Sequence, residues 1–408
     1  MLQYQLKMED APILRLLDTV IVQGLEAGSS DIHLEPGNEF NRVRYRIDGV
    51  LQQAQRISME RHTALVSCVK LMAGMDIAEK RKPQDGRAQV THGGQKIDLR
   101  VSSLPTVLGE KVVIRVLDSE ANQLDLEDMG FTKTNLAYYR AMYKSSYGLI
   151  LVTGPTGSGK TTTLYATLQE LNRPERNIIT IEDPVEYRMD GVNQVAVNTK
   201  IGMTFASGLR AILRQDPNII MIGEIRDRET AEISIQAALT GHLVFSTLHT
   251  NTAAGAITRL LDMGIEPFLA ASALRGIVAQ RLVRKLCPVC KQEYTVDEAM
   301  WEWRLFQDVT RAGKEETIRV PNYRATLFRQ SGCDACRQSG YRGRMAIHEV
   351  LPVSTDLKNK IIRHASEQEL WETAKIEFPG LVSLKEDGMR KVKEGLTSVH
   401  ELFRVLGV

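Results

Sequence analysis

Apolar residues recur along the chain with two different periods, and the period distinguishes helices from strands. Residues 13–25 carry apolar side chains every three or four positions, which predicts a helix with one apolar stripe. In RVRYRIDGVLQQ, residues 42–53, apolar residues alternate with arginines up to Asp48 and Gly49, a strong hairpin turn. Three further segments have strand-like patterns, at residues 87–91, 96–102 and 111–117. Residues 1–117 are therefore predicted to form a small α+β domain.

From residue 137 to residue 286 the pattern changes to short apolar strands that alternate with helical stretches. The strands are GLILVTG, NIITIED, NIIMIGE and HLVFSTL. This alternation predicts an α/β domain with a parallel sheet and helices on its faces.

Three further regions complete the predicted organisation. Residues 118–136 are acidic at first and short of helical or strand periodicity, and they are interpreted as a linker. Residues 287–345 contain four cysteines and are assigned to a separate module. Residues 346–408 are predicted to be helical, with a capping signature at Ser398 and Glu401 before the last apolar run.

Composition limits the class of protein. The chain has 408 residues, 43% of them hydrophobic and 25% charged, as in an ordinary globular protein with two or three domains. The 52 Lys and Arg residues nearly balance the 50 Asp and Glu residues, so bulk charge argues for no nucleic-acid partner. The sequence has neither an apolar run of 18 residues nor a signal-peptide pattern. It is therefore expected to stay in the cytoplasm, with only peripheral membrane contact.

One glycine-rich segment matches a phosphate-binding loop. GPTGSGKT, residues 154–161, fits G-x-x-x-x-G-K-[ST] at every fixed position, between a predicted strand and a predicted helix. Its backbone N–H groups and the helix N-terminus would face phosphates, Lys160 would reach the terminal phosphates, and Thr161 would bind Mg²⁺. A chance match arises in roughly one chain per hundred of this length. The predicted nucleotide-binding residues here are Gly154, Pro155, Thr156, Gly157, Ser158, Gly159, Lys160, Thr161 and Thr162.

Acidic residues follow two other predicted strands. Glu224 follows one apolar run one place late, after Gly223, and Glu182 and Asp183 end another. The C-terminal ends of parallel strands lie side by side, so these acids are expected next to the phosphate loop. There they would order the water shell of Mg²⁺ and the attacking water. The alternative is that such acids only cap the next helix, as Asp183 before Pro184 could.

The cysteines fall into two close pairs and one isolated residue. CPVC and CDAC place Cys287, Cys290, Cys333 and Cys336 in two C-x₂-C pairs separated by 42 residues. Four thiolates at this spacing suit a structural, tetrahedral Zn²⁺. A redox pair or unliganded thiols are the alternatives. Cys68 lies in an apolar helical pattern and is interpreted as a small core residue.

Long segments of the sequence resemble the secretion-type ATPases, which power assembly of type II secretion pseudopili and type IV pili. The resemblance rests on GPTGSGKTTTLYATLQELN, IITIEDPVEY, GLRAILRQDPNIIMIGEIRDRETAEISIQAALTGHLVFSTLHTNTA and AQRLVRKLCPVC, with SSDIHLEP, RYRIDGVL, PQDGR and GYRGRMAIHEVL elsewhere. It covers nearly the whole chain. It implies a RecA-like ATPase domain, a preceding PAS-like domain and a hexameric ring.

The resemblance also implies roles for acids and histidines. IEDPVE matches the family's aspartate box and IIMIGE its second nucleotide motif, so Glu182 and Glu224 would share water activation and the Mg²⁺ shell. Glu182 is favoured as the general base and Glu224 on the Mg²⁺ shell, and the reverse assignment stays open. TGHLVFSTLHTN matches the histidine box, which implies that His242 and His249 lie near the active site. Without the resemblance, a single histidine on an apolar strand is more often structural.

Arginines are expected to assist Lys160 at the γ-phosphate. The family's candidates correspond to Arg100 and Arg115 in the first domain, and to Arg210 and Arg214 in GLRAILRQDP. If the strands that carry Arg100 and Arg115 form a hairpin, both side chains share a face. Contact between neighbouring domains would then couple hydrolysis to domain rotation. Without the motif match, each of these arginines would be read as a solvated surface charge.

The predicted function is that of a cytoplasmic hexameric ATPase that drives pseudopilus assembly in type II secretion. GLRAILRQDP, LTGHLV and RLLDMGIEPFL favour this group over pilus extension, which is the alternative. The resemblance implies ATP, Mg²⁺ and Zn²⁺, an inner-membrane platform, the cytoplasmic domain of a membrane protein and an acidic phospholipid surface. The additional N-terminal docking domain of typical members is expected to be absent. A RecA-like nucleic-acid translocase and a nucleotide-gated scaffold are the rivals.

Overall fold

The computed structural model describes residues 12–117, 125–296 and 325–407, and the chain divides into two units at Gln123 and Leu124. Part of the predicted linker, residues 118–124, lies outside the described residues. The rest of it begins the second unit, with a 3₁₀ helix over Leu126–Met129 and the start of a helix at Lys133.

The first unit is an antiparallel sheet with two helices. Its elements are α1 (Pro12–Glu26), β1 (Ser29–Glu35), β2 (Asn41–Ile47), β3 (Val50–Ile57), α2 (Met59–Met72), β4 (Gln84–His92), β5 (Gln95–Thr106) and β6 (Gly109–Leu117). The strand order is β3-β2-β1-β6-β5-β4, with every neighbouring pair antiparallel. Asp48 and Gly49 both have positive φ, as a two-residue hairpin turn requires. The predicted α+β domain is confirmed.

Alternation along the strands gives this sheet one apolar face and one charged face. Ile32 and Leu34 of β1 are fully buried in the core, together with Val20 of α1 and Leu65 of α2. The intervening residues of β1, such as Asp31, point to the other face. Arg100 and Arg115, two of the arginines predicted for the active site, are on strands of this sheet.

The second unit has a central sheet of seven strands. Before and within it lie α3 (Lys133–Tyr143), β7 (Gly148–Thr153), α4 (Lys160–Leu171), β8 (Ile178–Glu182), β9 (Val192–Ala196), α5 (Phe205–Ile212), β10 (Ile219–Ile222), α6 (Arg228–Leu239), β11 (Leu243–Leu248), α7 (Ala253–Asp262), α8 (Pro267–Ala273) and β12 (Leu274–Leu286). The remaining elements are β13 (Gln292–Val296), β14 (Ala325–Arg329), β15 (Tyr341–Pro352), α9 (Thr355–Ile362), α10 (Glu367–Glu377), α11 (Leu384–Lys393) and α12 (Val399–Leu406).

The order of the central sheet is β15-β12-β7-β11-β10-β8-β9. All pairs from β12 to β9 are parallel, and β15 runs antiparallel on the edge. The predicted α/β fold with a parallel-core sheet and C-terminal helices is therefore confirmed. Because β15 spans residues 345 and 346, the predicted boundary between the cysteine module and the tail falls inside a strand of this sheet.

Helices cover both faces of the central sheet. Ile150 and Val152 of β7 pack with Leu164 of α4 on one face. Leu149 of the same strand packs with Leu209 of α5 on the other. This burial on both faces explains why the strands are almost continuously apolar in sequence.

Candidate functional site

The phosphate-loop segment leaves the central sheet at the end of β7 and leads directly into α4. Gly154, Gly157 and Gly159 have φ of 154°, 76° and 85°, which side chains with a Cβ rarely adopt. A Cβ on Gly157 would meet no atom within 4 Å, so φ alone restricts that position. The loop therefore has the backbone of a phosphate cradle, with α4 starting at its end.

Lys160 is the first residue of α4, and its ammonium turns back onto the loop. Its Nζ donates to the carbonyl oxygens of Gly154 at 2.8 Å and Pro155 at 3.1 Å. Burial lowers the pKa of Lys160 to about 8, against the opposing effect of the Glu224 carboxylate. Thr161, the predicted Mg²⁺ ligand, is exposed in the same first turn of the helix. The cation and the hydroxyl thus lie at one end of the loop.

Four parallel strands end at the same edge of the sheet. Ile181 of β8 pairs with Ile222 of β10, which pairs with Ser246 of β11, which pairs with Leu151 of β7. The residues after these strands are therefore neighbours of the loop. The predicted residues that the structure brings to this edge are Glu182, Asp183, Glu224, His249 and Lys160.

Glu224 is the centre of a charged cluster at this edge. Its Oε1 accepts from Arg226 at 2.5 Å, and its Oε2 lies 3.5 Å from Nε2 of His249. Arg226 also lies 3.8 Å from Asp183. The Arg226 hydrogen bond, followed by the charges of Arg226 and His249, lowers the pKa of Glu224 against the effect of burial. Glu224 is thus an ionised carboxylate at neutral pH, beside a partly exposed edge.

Sequence reasoning missed Arg226 as a member of this cluster. The signal was present, because Arg226 follows Glu224 by two residues in IGEIRD and so leaves the same strand end. Arg226 lies between Glu224 and Asp183, which were both predicted site residues. Its positive charge therefore offsets part of the negative charge that these two acids present to the loop.

Glu182 differs from Glu224 in being almost fully buried. Its carboxylate accepts hydrogen bonds from Tyr165 of α4, from Thr180 at 2.6 Å and from Gln194 at 3.2 Å. Burial raises the pKa of Glu182, although these three bonds oppose the effect. The Tyr165 hydroxyl also accepts from the backbone N–H of Glu186. Glu182 therefore joins α4 to the segment after β8, and its oxygens already have protein donors.

His242 and His249 lie at opposite ends of β11. His242 precedes the strand, with Nδ1 2.9 Å from the carbonyl oxygen of Ala237, whereas His249 follows it. Seven residues at the usual strand rise separate them by about 23 Å. Within one chain, His242 is not beside the phosphate loop, which differs from the expectation for the two histidines.

Arg210 and Arg214 lie apart from the loop within the chain. Arg210 of α5 pairs with Glu229 at 2.6 Å, and Arg214 donates to the carbonyl oxygen of Arg210 at 2.7 Å. α5 packs on the face of the sheet opposite to α4. The structure therefore does not bring these two arginines to Lys160 in a single chain.

Arg100 and Arg115 of the first unit are direct cross-strand partners on β5 and β6, as the predicted hairpin requires. Asp31 is the next residue in the same row across the sheet and accepts from Arg115 Nε at 3.2 Å. Its second oxygen lies 3.3 Å from Arg46 Nε. One carboxylate thus holds two guanidinium groups on this face of the first unit.

The four paired cysteines converge on one point. Their sulfur atoms all lie within 4.8 Å of one another, with Cys287–Cys333 at 3.9 Å and both Cys290–Cys336 and Cys333–Cys336 at 3.7 Å. A tetrahedral Zn²⁺ with 2.3 Å bonds to sulfur requires sulfur separations of about 3.8 Å. The backbone N–H of Gly340 donates to Cys336. The donor set and its spacing fit a zinc ion, and the cysteines are free of disulfides.

Among the helices of residues 12–117, 125–296 and 325–407, none combines the length and the hydropathy needed to cross a bilayer.

The fold and the loop define a phosphate-loop ATPase built on a parallel sheet. The sequence model of the family described as "Type II/IV secretion system protein" matches residues 7–404. The Type II secretion system ATPase E of Vibrio cholerae serotype O1 is 51% identical over 397 residues, which are 97% of this chain and 76% of that protein. The chain therefore belongs to the type II/IV secretion system protein family.

Two further proteins that are similar to this chain are a pilus assembly ATPase and a pilus retraction motor. The type IV pilus assembly ATPase PilB of Myxococcus xanthus is 48% identical over 396 residues, covering 97% of this chain and 68% of PilB. The solved structure of the pilus retraction motor PilT with bound ADP has a TM-score of 0.63 and 26% identity, over 95% of this chain and 96% of PilT. The predicted secretion-type ATPase is confirmed, and the chain is an ATP-hydrolysing member of this family.

Proposed function

We propose that this chain hydrolyses MgATP at the phosphate loop to power type II secretion, as a cytoplasmic hexamer attached to inner-membrane components of the secretion system. The observation that supports this most strongly is that Lys160 follows β7 and Glu224 follows β10, the two strands that flank β11, at one edge of the sheet. The type II secretion ATPase of Vibrio cholerae, at 51% identity, supports the choice of process.

The loop supplies the binding part of the mechanism. Its N–H groups and the N-terminus of α4 bind the β- and γ-phosphates, and Lys160 neutralises charge on them. Thr161 and Glu224 would hold a Mg²⁺ ion, which would supply positive charge to neutralise the phosphates. Asp183 and Arg226 set the charge around Glu224.

We also assign Glu224 as the general base that activates the attacking water. The sequence favoured Glu182 for this role. Glu224 is ionised and its side chain is 20% exposed at the loop edge, so it can accept a proton from water. Glu182 is 3% exposed and its oxygens bind three protein donors. We therefore assign Glu182 to positioning, because it ties α4 to the segment that contains Asp183.

Arginines from neighbouring subunits complete the site in the ring. Arg100 and Arg115 are cross-strand partners on β5 and β6, whereas Arg210 lies on α5 and Arg214 just after it donates to the Arg210 carbonyl oxygen. Because His242, Arg210 and Arg214 do not reach the loop of their own chain, any contact they make with nucleotide comes from another subunit. Hydrolysis would then depend on how the subunits are arranged.

The four-cysteine cluster has a structural role in this proposal. Cys287 follows the end of β12, and Cys336 lies shortly before β15, so a bound Zn²⁺ closes the connection between two paired strands of the central sheet. Four sulfur ligands leave no open position for catalysis.

Pilus extension is the second candidate function, supported by the 48% identity to PilB. A deletion strain complemented with the wild-type chain or Lys160→Ala separates the candidates. The proposal expects a folded exoprotein in the medium with the wild type only, and unchanged pili in the deletion strain. Loss of pili with normal secretion would support the alternative. Stimulation of the purified ATPase by single-stranded DNA, and not by acidic phospholipid vesicles with the membrane partner's cytoplasmic domain, would contradict both.

A further inference from the structure

The phosphate loop rests on one side chain of the neighbouring strand. Ala279 of β12 is paired with Thr153, the last residue of β7, so Gln280 lies beside Gly154 where the loop begins. Gln280 is fully buried, and α4 covers the face of the sheet to which its side chain points.

The Gln280 amide joins the loop to the helix that follows it. Its Nε2 donates to the carbonyl oxygen of Ser158 at 2.9 Å, and its Oε1 accepts from the hydroxyl of Thr163 at 2.6 Å. Thr163 is fully buried and Ser158 is 3% exposed. Water is therefore not available to replace either bond, and the amide has one orientation that satisfies both partners.

Two glycines of the loop allow this close approach. A Cβ on Gly154 would lie 2.5 Å from the Gln280 carbonyl oxygen, and a Cβ on Gly159 would lie 2.8 Å from Gln280 Nε2. Gly154 and Gly159 are thus needed for contact with Gln280 as well as for their φ angles. The loop and Gln280 are packed as one unit.

The Ser158 bond controls where a phosphate-binding N–H points. In a trans peptide, the carbonyl of Ser158 and the N–H of Gly159 point in opposite directions. Gln280 holds this carbonyl toward β12, so the Gly159 N–H is directed away from β12. A change in the Gln280 donor would rotate this peptide and misalign the cradle.

We propose that Gln280 is a positioning residue for nucleotide binding, which sets the Ser158–Gly159 peptide through its donor and holds α4 through its acceptor. This inference rests on the proposed nucleotide site. Its function requires an amide: Gln280→Glu keeps the size and the acceptor, but it loses the donor and places a negative charge beneath the phosphates.

The test measures the affinity of purified variants for a non-hydrolysable ATP analogue and for AMP, together with the melting temperature. Gln280→Glu is expected to bind the ATP analogue at least about tenfold more weakly, which is 1.4 kcal/mol, with little change for AMP. Gln169→Glu is the matched control, because Gln169 is exposed on α4, and it should bind as the wild type does. General damage to the fold would weaken both ligands equally.

Variants of Thr163 keep the inference testable if Gln280→Glu does not fold. Thr163→Val removes the donor to Gln280 and should weaken the ATP analogue, whereas Thr163→Ser should restore binding. The effects of Gln280→Met and Thr163→Val should be less than additive. Wild-type affinity in both Gln280→Glu and Thr163→Val would overturn the inference. A wild-type chain that binds no ATP analogue would instead overturn the proposed nucleotide site.

Discussion

Arg100 and Arg115 are direct partners across two antiparallel strands, and Arg115 shares the carboxylate of Asp31 with Arg46. Like charges directly opposite each other in a sheet repel, and an anion beside them offsets that cost. Asp31 supplies one carboxylate to this row. In the proposed ring, Arg100 and Arg115 also face the γ-phosphate of a neighbouring subunit.

Replacing either arginine should therefore abolish activity of the assembled ring. Arg100→Ala and Arg115→Ala are expected to lower turnover by at least about 10³-fold, the lower range for arginines supplied in trans. Arg61→Ala, an exposed arginine on α2, is the control and should leave turnover unchanged. Phosphate release at concentrations that support the ring is the measurement.

Mixing experiments test whether the arginine acts in trans. Arg100→Ala and Lys160→Ala subunits are each expected to be inactive, but a mixed ring can pair an intact loop with an intact arginine. Partial recovery of phosphate release in mixtures is expected. If no ratio restores activity, the assignment in trans is contradicted.

Glu224→Gln should separate binding from chemistry. The amide cannot accept a proton from the attacking water, so turnover should fall at least about a hundredfold. The affinity for the ATP analogue should stay within about threefold, because Lys160 and the loop are unchanged. Glu232→Gln is the control, since it removes a carboxylate from an exposed pair with Arg228. Near-normal turnover of Glu224→Gln would remove this residue from catalysis.

Glu182→Gln should act mainly on stability. Tyr165, Thr180 and Gln194 all donate hydrogen bonds to the Glu182 carboxylate, and the NH₂ group of a glutamine cannot accept from them. A buried donor left facing another donor costs about 1–3 kcal/mol of stability. Its melting temperature should therefore fall by several degrees, whereas that of Glu224→Gln should not. If Glu182→Gln keeps the wild-type melting temperature but loses turnover, Glu182 is the general base after all.

Nucleotide binding should take up a proton near pH 8. Burial lowers the pKa of Lys160 to about 8. Above pH 8, the folded protein therefore holds fewer protons at Lys160 than the unfolded chain does. This contribution makes the folded state more stable as pH rises. A bound triphosphate favours the ammonium and raises the pKa again. Calorimetry in buffers of different ionisation enthalpy should show about half a proton taken up at pH 8.

The affinity should then fall by up to about tenfold per pH unit above pH 8. Lys160→Arg, whose guanidinium stays protonated, should remove the proton uptake wherever it still binds nucleotide. Uptake that is zero in the wild type would show that Lys160 is already fully charged without nucleotide.

Removing the metal should destabilise the fold around the cysteine cluster. The ion itself is expected to have no catalytic role. The purified chain should contain one Zn²⁺ per molecule by elemental analysis, and Cys290→Ser should lose it together with several degrees of melting temperature. Cys68→Ser is the control, because Cys68 lies outside the cluster. A wild-type chain that contains no zinc and is indifferent to a chelator would contradict the metal assignment.

The sequence predicted those parts of the structure that depend on short-range pattern. The alternating residues of β2 led to the hairpin at Asp48–Gly49, and the strand–loop–helix pattern led to the loop before Lys160. The cysteine spacing led to a cluster of sulfur atoms. Ser398 also caps its helix as predicted, by accepting from the N–H of Glu401.

The sequence could not give contacts that depend on long-range pairing. The Glu401 side chain binds Arg284 of β12, 117 residues earlier, as well as Arg404 of its own helix. Gln280 contacts the loop only because β12 pairs with β7, and β15 joins the same sheet after the cysteine module. The sequence also did not show which of the two acids is buried. Glu182 and Glu224 both come at the ends of apolar strands, but only Glu182 accepts a hydrogen bond from Tyr165 of α4.

In the proposed mechanism, the loop from Gly154 to Thr161 and the Glu224 carboxylate hold one metal–triphosphate unit. A crystal structure of the chain with a non-hydrolysable ATP analogue and Mn²⁺ in place of Mg²⁺ tests it most directly. We expect an anomalous Mn²⁺ peak coordinated by Thr161 Oγ1 and two phosphate oxygens, with Glu224 hydrogen-bonded to a metal-bound water. A peak elsewhere, or a triphosphate that contacts neither Lys160 nor the loop N–H groups, would contradict it.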